Sequence, residues 1–209
     1  MDGEMRTSMS TGCRDQLPLA LRSLDHYTLI VADARQACDF HVSALGFTLL
    51  RVQDVGVDSD ADGSSYAMRN YILTIPGEPG KTCVITEGLS DESIFTKYLR
   101  IYGPGIHHIA YCVEDLDAVV ASLRSVGTGF TSNDVVRDPT TGLRQIFIDR
   151  AHAGYFVELI ERSTKAAEGI FTNTNMSRLV RTMSSYLPAA SSGCTPTNEP
   201  KCGCDGTEV

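Results

Sequence analysis

The two stretches that decide the fold are "LDHYTLIVADARQACDFHVSALGF" (residues 24–47) and "IHHIAYCVEDLDAVVASLRSVGTGF" (residues 106–130). They match each other at a constant offset. The aligned pairs are His26 with His108, Val31 with Val113, and Asp33 with Asp115. Such an internal repeat indicates that one supersecondary unit is present twice in the chain.

Each copy begins as a short apolar strand and continues as an amphipathic helix. Asp33 in the first copy and Asp115 in the second are suited to cap the helix start. Gly46 and Gly127 lie where the helices are expected to end, because glycine readily adopts the left-handed conformation that closes a helix.

Each copy is then followed by three strand-like runs, separated by turn signals such as "DADGSS", "PGEPG" and "DPTTG". The runs are "FTLLRVQDV", "SYAMRNYILTIP" and "KTCVITEG" in the first copy, and "GFTSNDVVRD", "LRQIFIDR" and "GYFVELIER" in the second. The sequence therefore predicts an α+β domain (21–163) of paired βαβββ modules, at 22–90 and 104–162. We expect a flexible N-terminal segment (1–20), a C-terminal helix (164–187) and a flexible tail with cysteines (188–209).

The composition favours a small molecule as the partner. The net charge is −8 and no basic run is present, which argues against nucleic acid and anionic membranes. The N-terminus lacks a signal-type apolar core, and nowhere do about 18 apolar residues run together. The seven cysteines are odd in number and scattered through apolar segments, as expected of reduced thiols. We expect a cytoplasmic protein, and a homodimer remains possible.

Two adjacent histidines open the second copy, and the repeat distinguishes them. Neighbouring residues of a strand point to opposite faces. Only His108 has a counterpart, His26, in the first copy. His108 is therefore expected to share a site with His26, and His107 to point the other way, toward the helix layer or an edge.

Glu158 lies in the middle of an apolar strand, where an ionised carboxylate is costly unless a positive charge compensates it. Together with His26 and His108 it forms a set of two histidines and one carboxylate, which suits Fe(II) with open coordination positions. Mn, Co, Ni or Zn could occupy the same ligands. The alternative is that both histidines are core residues and that Glu158 pairs with Arg144 or Arg150.

The double βαβββ pattern, with "DH" opening the first module, "HHIAYCVEDL" the second and "FVELIER" closing it, resembles the vicinal oxygen chelate superfamily over residues 22–162. That superfamily includes glyoxalase I, methylmalonyl-CoA epimerase, fosfomycin-resistance proteins and extradiol dioxygenases. The resemblance implies a cup-shaped mixed sheet with flanking helices. Within the superfamily, "LRQIFIDRAHAGYFVELIER" is most similar to 4-hydroxyphenylpyruvate dioxygenases. That likeness implies that Gln145 contacts the substrate; the alternative is a solvent-side strand residue.

Two features depart from these relatives. The chain has one such domain where the dioxygenases have two, and Val84 stands where epimerases and glyoxalases carry a fourth ligand. Because valine cannot ligate a metal, more coordination positions are left for substrate and oxygen. We therefore expect an Fe(II) dioxygenase acting on a small oxygen-chelating substrate, such as a 2-oxo acid or an aromatic compound.

Two other functions remain open at this point. The first alternative is a non-redox isomerase, epimerase or lyase of the same superfamily. Its weakness is the lack of an evident base, since only Glu158, His152 or Glu87 could serve. The second alternative is a small-molecule binding or resistance protein.

Overall fold

The computed structural model describes residues 21–56, 67–163 and 171–184. Within these ranges it contains eight strands and four helices. In chain order they are β1 (Ser23–Ile30), α1 (Ala34–Leu45), β2 (Thr48–Val55), β3 (Met68–Thr74), β4 (Thr82–Gly88), α2 (Ile94–Tyr102), β5 (Gly105–Cys112), α3 (Leu116–Ser125), β6 (Val136–Arg137), β7 (Arg144–Ile148), β8 (Phe156–Glu161) and α4 (Asn173–Ser184). The α+β fold of paired βαβββ modules is thus confirmed.

All eight strands form one mixed sheet, in the order β2-β3-β4-β1-β5-β8-β7-β6. The two modules meet at the antiparallel pair β1–β5, and each first strand runs parallel to the last strand of its own module. The order of strands is therefore symmetric about the centre of the sheet. His26 lies beside Thr82, and His108 beside Phe156. The register consequently makes Val84 the counterpart of Glu158.

The helix starts show the same symmetry. The side chain of Asp33 accepts a hydrogen bond from the Gln36 amide, and that of Asp115 accepts one from the Ala118 amide, so both are N-caps. The last strands contribute a second pair of carboxylates. Glu87 accepts from the amide of Ala34 at 2.9 Å, and Glu161 accepts from the amide of Leu116 at 2.8 Å. Each glutamate therefore ties the last strand of its module to the start of its helix.

The second strand of the second module is much shorter than the run "GFTSNDVVRD" predicts. Only Val136–Arg137 pairs with β7, supplemented by a single bridge from Phe130 to Ile148. Between them, the carbonyl of Asn133 accepts a hydrogen bond from Arg124 of α3, and Ser132 donates to the carbonyl of Asp134. These local hydrogen bonds replace strand pairing.

The helices cover opposite faces of the sheet. Helices α1 and α3 pack on one face, where Cys38 meets Ile85 and Leu123 meets Leu159. Helices α2 and α4 pack on the other face, which carries His26, His108 and Glu158. None of the helices in the described ranges is both long and apolar enough to cross a membrane.

The domain boundaries derived from the sequence remain predictions. The segments 1–20 and 188–209, expected to be flexible, lie outside the described residues. Within the segment 164–187, the structure has the helix Asn173–Ser184. Its side chains Met176, Leu179, Val180 and Met183 all face the sheet side that carries the histidines.

Candidate metal centre

Three neighbouring strands bring His26, His108 and Glu158 together. The two histidine Nε2 atoms lie 3.1 Å apart, and each is 3.4 Å from Oε2 of Glu158. All three side chains are largely or fully buried, and the carboxylate is only 1% exposed. The potential ligand atoms all lie within 4.8 Å of one another, which is compatible with one shared divalent ion.

The environment of Glu158 supports a cation at this place. Neither of its oxygens has a hydrogen-bond partner, although the side chain is fully buried. The alternative pairing with an arginine is not found, because Arg144 binds Glu161 and Arg150 lies over the ring of Tyr102. A buried carboxylate without hydrogen bonds needs a positive partner, so this donor set fits a metal ion.

A second layer of side chains holds His26. Its Nδ1 lies 2.9 Å from Oδ1 of Asp25. That carboxylate receives two hydrogen bonds from Arg162, at 2.6 and 2.7 Å, and one from the thiol of Cys112. Carboxylates that orient a ligating histidine in this way fix its tautomer and increase its basicity. The arrangement leaves Nε2 of His26 directed at Glu158.

His107 does not point away from the site, so the expectation from strand alternation is wrong. Thr28 pairs with His108, but Leu29 pairs with Ile106, so His107 is an extra residue in β5. Such a β-bulge breaks the alternation of side chains. Nδ1 of His107 lies 2.8 Å from Nδ1 of His108, and its ring packs against Tyr98 of α2.

Asp25 and His107 are therefore equivalent residues. The pairing of β1 also skips one residue, between Leu24 and His26, so Asp25 occupies a bulge as well. Each bulge residue precedes a candidate ligand and contacts its Nδ1. The alignment of the two repeats also pairs Asp25 with His107, so their equivalence is visible in the sequence.

The protonation states within the centre differ. Burial alone lowers the pKa of His26, but the hydrogen bond to Asp25 and the nearby carboxylate of Glu158 outweigh it and raise that pKa to about 9. Burial, followed by the neighbouring His107 and His26, holds the pKa of His108 well below its usual value. Burial and then Arg150 lower the pKa of His107 to about 3, and burial raises the pKa of Glu158. At neutral pH the proton of the pair His26–His108 therefore resides on His26.

The three candidate ligands lie at the base of a cavity between the sheet and the helices. Its volume is about 520 Å³, including open solvent at the mouth. Apolar side chains make up most of the wall: Met68, Val84, Phe95, Phe147, Phe171, Met176, Leu179, Val180 and Met183.

Helix α4 forms the roof of this cavity and joins the two edges of the sheet. On the β2 side, Nε2 of Gln53 donates to the carbonyl of Phe171 and to Oδ1 of Asn173. On the β6 side, Thr172 donates to the carboxylate of Asp138 at 2.8 Å. The start of α4 is thus tied to both edges of the sheet, and the helix covers the candidate ligands.

Gln145 and the two proposed bases lie elsewhere. Gln145 is fully buried, so it is not a solvent-side residue, but it is not among the residues lining the cavity. Its role as a substrate contact remains a prediction. Glu87 caps α1, and the exposed His152 accepts a hydrogen bond from the Gly129 amide in a loop. Neither lines the cavity.

Comparisons with known proteins identify the class. Residues 23–159 match the family model of the Glyoxalase/Bleomycin resistance protein/Dioxygenase superfamily. The fold and the cluster of two histidines and one carboxylate agree with that match. The chain belongs to this superfamily, whose members share the vicinal oxygen chelate fold. No curated protein sequence matches the chain.

Among solved structures, methylmalonyl-CoA epimerase from Mycobacterium tuberculosis is similar to the chain, with 30% identity and a TM-score of 0.55. The match covers 69% of this chain and 91% of the epimerase. A Streptomyces coelicolor methylmalonyl-CoA epimerase in complex with 2-nitronate-propionyl-CoA has 22% identity and a TM-score of 0.55, covering 70% and 99% of the two chains. These comparisons do not bear out the narrower resemblance to 4-hydroxyphenylpyruvate dioxygenases.

Proposed function

We propose that the protein is a metal-dependent isomerase or epimerase acting on a small substrate with two oxygens that can chelate the metal. The observation that carries this proposal is the 30% identity to an epimerase, over most of that enzyme's length, combined with a cluster of His26, His108 and Glu158 that fits a divalent ion. We therefore prefer the isomerase or epimerase, which the sequence left as an alternative, to the dioxygenase.

His26, His108 and Glu158 would hold the divalent ion at the base of the cavity. Bound there, a divalent ion would stabilise the negative charge that develops on the oxygens of the substrate when a neighbouring carbon loses a proton. The chain's own contribution is a mostly apolar environment. Because the wall is mostly apolar and α4 covers it, charges in the cavity are poorly solvated, and this would strengthen their electrostatic interactions with the substrate.

Proton transfer is the part of the mechanism that the described residues restrict most. Among the described side chains lining the cavity, only His107 is titratable and not a proposed ligand. If His108 ligates through Nε2, its Nδ1 carries a proton and donates a hydrogen bond to Nδ1 of His107. His107 then carries its own proton on Nε2, so it can donate a hydrogen bond but cannot accept a proton there. We therefore assign His107 a positioning and hydrogen-bond-donating role.

The cavity also restricts the substrate. The enclosed space suits an acyl group of a few carbon atoms, and a coenzyme A moiety would have to extend through the mouth. Two of the epimerase structures similar to this chain contain 2-nitronate-propionyl-CoA and methylmalonyl-CoA. We propose methylmalonyl-CoA as the first substrate to test, with free 2-oxo acids as the smaller alternative.

A proton-exchange experiment tests the proposal. Metal-depleted protein, reloaded under anaerobic conditions with Mn, Co, Zn or Fe(II), is incubated with methylmalonyl-CoA or a 2-oxo acid in D₂O, and deuterium at the carbon next to the carbonyl is followed by NMR. We expect metal-dependent exchange without oxygen uptake. The Glu158→Gln variant serves as the control and should lose exchange. Absence of exchange with every metal and substrate would contradict the proposal.

An Fe(II) dioxygenase is the second candidate, and Val84 favours it. Val84 is the counterpart of Glu158, lines the cavity and offers no ligand atom, so three protein ligands leave positions for a bidentate substrate and oxygen. In the same experiment under air, oxygen consumption that needs both Fe(II) and a 2-oxo acid, without deuterium exchange, would favour this candidate.

A further inference from the structure

A buried amide lies in the wall of the cavity without its full set of hydrogen bonds. Asn70 on β3 is 1% exposed and lines the cavity that also contains the candidate metal ligands. Its Nδ2 has no hydrogen-bond partner. Buried amide donors are usually paired, because an unpaired one costs on the order of 1–3 kcal/mol. This donor is therefore available to a ligand.

The neighbouring strand fixes how this amide is oriented. Thr86 on β4 is the register partner of Asn70, and its hydroxyl donates to Oδ1 of Asn70 at 2.7 Å. Thr86 is also buried and lines the same cavity. Since the hydroxyl occupies the oxygen end of the amide, the N–H₂ end remains for the ligand.

The pseudo-twofold symmetry of the sheet distinguishes Asn70 from Gln145. Asn70 pairs with Thr86, and Gln145 pairs with Ile160, the counterpart of Thr86. The two amides are thus equivalent residues of the two modules, and both have an unpaired nitrogen. Only Asn70 lines the cavity. The amide that lines the cavity belongs to the first module.

The position of Asn70 sets its distance from the chelated end of a substrate. His108 pairs with Thr28, and Thr86 lies beside Ile30, two residues further along β1. At about 3.3 Å per residue, the row of Asn70 is about 7 Å beyond the row of His108 and about 13 Å beyond the row that His26 shares with Glu158. No Lys or Arg is among the described residues that line the cavity. A neutral oxygen is therefore a better match than a second anionic group.

We propose that Asn70, held by Thr86, donates a hydrogen bond to a neutral carbonyl oxygen in the chain of the substrate, several bonds away from the oxygens that chelate the metal. This inference rests on the proposed function, because it takes the chelating end to lie at His26, His108 and Glu158. The substrate class is then a 2-oxo or acyl compound with an apolar chain interrupted by one further carbonyl group, such as a ketone or thioester.

Matched pairs of probes test this role in the metal-loaded protein. 2-Oxohexanoate is compared with 2,5-dioxohexanoate, and 2-oxoheptanoate with 2,6-dioxoheptanoate, by calorimetry with Mn or Co bound. We expect wild-type protein to bind at least one dioxo acid about fivefold more tightly than its partner, the gain from one added neutral hydrogen bond. The double variant Asn70→Leu/Thr86→Val, which leaves no unpaired hydroxyl, should lose this preference while keeping its metal.

The equivalent amide provides the control. Gln145→Met removes the amide at the symmetry-related position, which does not line the cavity, and should keep the preference. Absence of a preference in wild-type protein for either pair, or its survival in the double variant, would overturn the inference. Loss of the preference in Gln145→Met alone would assign the contact to Gln145 instead. If even the simple 2-oxo acids fail to bind the metal-loaded protein, it is the chelating substrate class of the proposed function that fails.

Discussion

Four side chains form one directed hydrogen-bond chain across the candidate metal centre. Asp25 accepts from Nδ1 of His26, whose protonated Nε2 donates to Nε2 of His108; Nδ1 of His108 then donates to His107. This assignment agrees with the raised pKa of His26 and the lowered pKa values of both other histidines. In the metal-free protein, one proton therefore lies between the two Nε2 atoms, where a metal ion would bind.

Metal binding is consequently expected to release this proton. Because the pKa of His26 is about 9, the histidine is protonated at neutral pH and the metal must displace its proton. Lower pH therefore weakens binding. We expect affinity to rise about tenfold per pH unit from pH 7 to 8 and to level off above about 9. Calorimetry at pH 7 in buffers of different ionisation enthalpy should show about one proton released per metal ion.

The variant Asp25→Asn is the control for this pH dependence. It removes the charge that supports the protonated form of His26, so its metal affinity should depend less steeply on pH between 7 and 9. An equal slope in both proteins would mean that the released proton does not come from His26.

His107 should matter for metal binding although it is not a proposed ligand. His107→Ala leaves Nδ1 of His108 without an acceptor in an enclosed site, so the tautomer that presents Nε2 to the metal is no longer favoured. We expect metal affinity to fall about ten- to a hundredfold, the usual effect of losing such support. Metal titration of the purified variant measures it.

His107→Asn provides a matched comparison, because the amide oxygen lies close to the position of the histidine Nδ1 and can accept the same hydrogen bond. It should retain most of the affinity. Full metal affinity in His107→Ala would restore the simpler interpretation, in which only His26 and His108 serve the site and His107 is packing.

At this scale, the repeat predicted more than strand alternation did. His26, His108 and Glu158 were found because each occupies a defined place in one of two equivalent modules. The orientation of His107 was predicted wrongly because the alternation of side chains assumes a regular strand. No residue type in "GIHHIAYC" indicates a bulge. Asn70 was missed because a single polar residue in an apolar strand gives no sign of which hydrogen bonds it makes.

Helix α4 is the element whose role the sequence left most open. The sequence predicted a C-terminal helix, but a helix prediction does not identify the surface that the helix covers. In the structure, its first residues connect both edges of the sheet, through Gln53 on β2 and Asp138 beyond β6. Further along the helix, Arg178 donates to the carbonyl of Arg137 on β6, and the buried Val180 and Met183 pack in the core, so α4 is held along its length.

The hydroxyl of Thr172 is the contact to remove. It donates to Asp138 and also accepts from the amide of Asn175, so it both anchors and caps α4. Thr172→Val should weaken the helix by about 1–2 kcal/mol, the range for loss of an N-cap. We expect amide hydrogen exchange in residues 173–184 to become about tenfold faster, with less change in the central strands β1 and β5.

The exposed Thr174 supplies the control within the same helix. Thr174→Val makes the same chemical change without touching Asp138, and exchange in α4 should stay close to that of the wild-type protein. If both variants exchange alike, the hydrogen bond to Asp138 does not hold the roof in place.

The elements themselves followed well from local signals, with one exception. Asp33 and Gly46 bound α1 as predicted, since capping chemistry acts within one turn. The strand expected at "GFTSNDVVRD" is reduced to two residues, because Arg124 and Ser132 satisfy the backbone that pairing would otherwise use. Hydrogen bonds of this kind depend on the position of α3 and are not visible in a pattern of apolar residues.

For the molecule as a whole, the two modules share a fold but contribute different side chains to the candidate site. Equivalent positions carry Val84 and Glu158, Asp25 and His107, and Asn70 and Gln145. The second module supplies the carboxylate, whereas the first supplies the unpaired amide that lines the cavity. The repeat could therefore predict where functional residues lie, but which member of each pair is used depends on the helices that cover the sheet.

Metal binding should stabilise the whole fold, because the metal-free protein buries the Glu158 carboxylate without a hydrogen bond to it. A ligand at one hundred times its Kd contributes about 2.7 kcal/mol to the free energy of unfolding. For a chain of this size, 1 kcal/mol corresponds to about 2–4 °C in Tm, so we expect Tm to rise by about 5–10 °C in calorimetric scans. Glu158→Gln lacks the charged ligand, so its Tm should respond to metal by less than about 2 °C. An equal response in the variant would show that the stabilising ion binds elsewhere, and the assignment of His26, His108 and Glu158 as its ligands would fall.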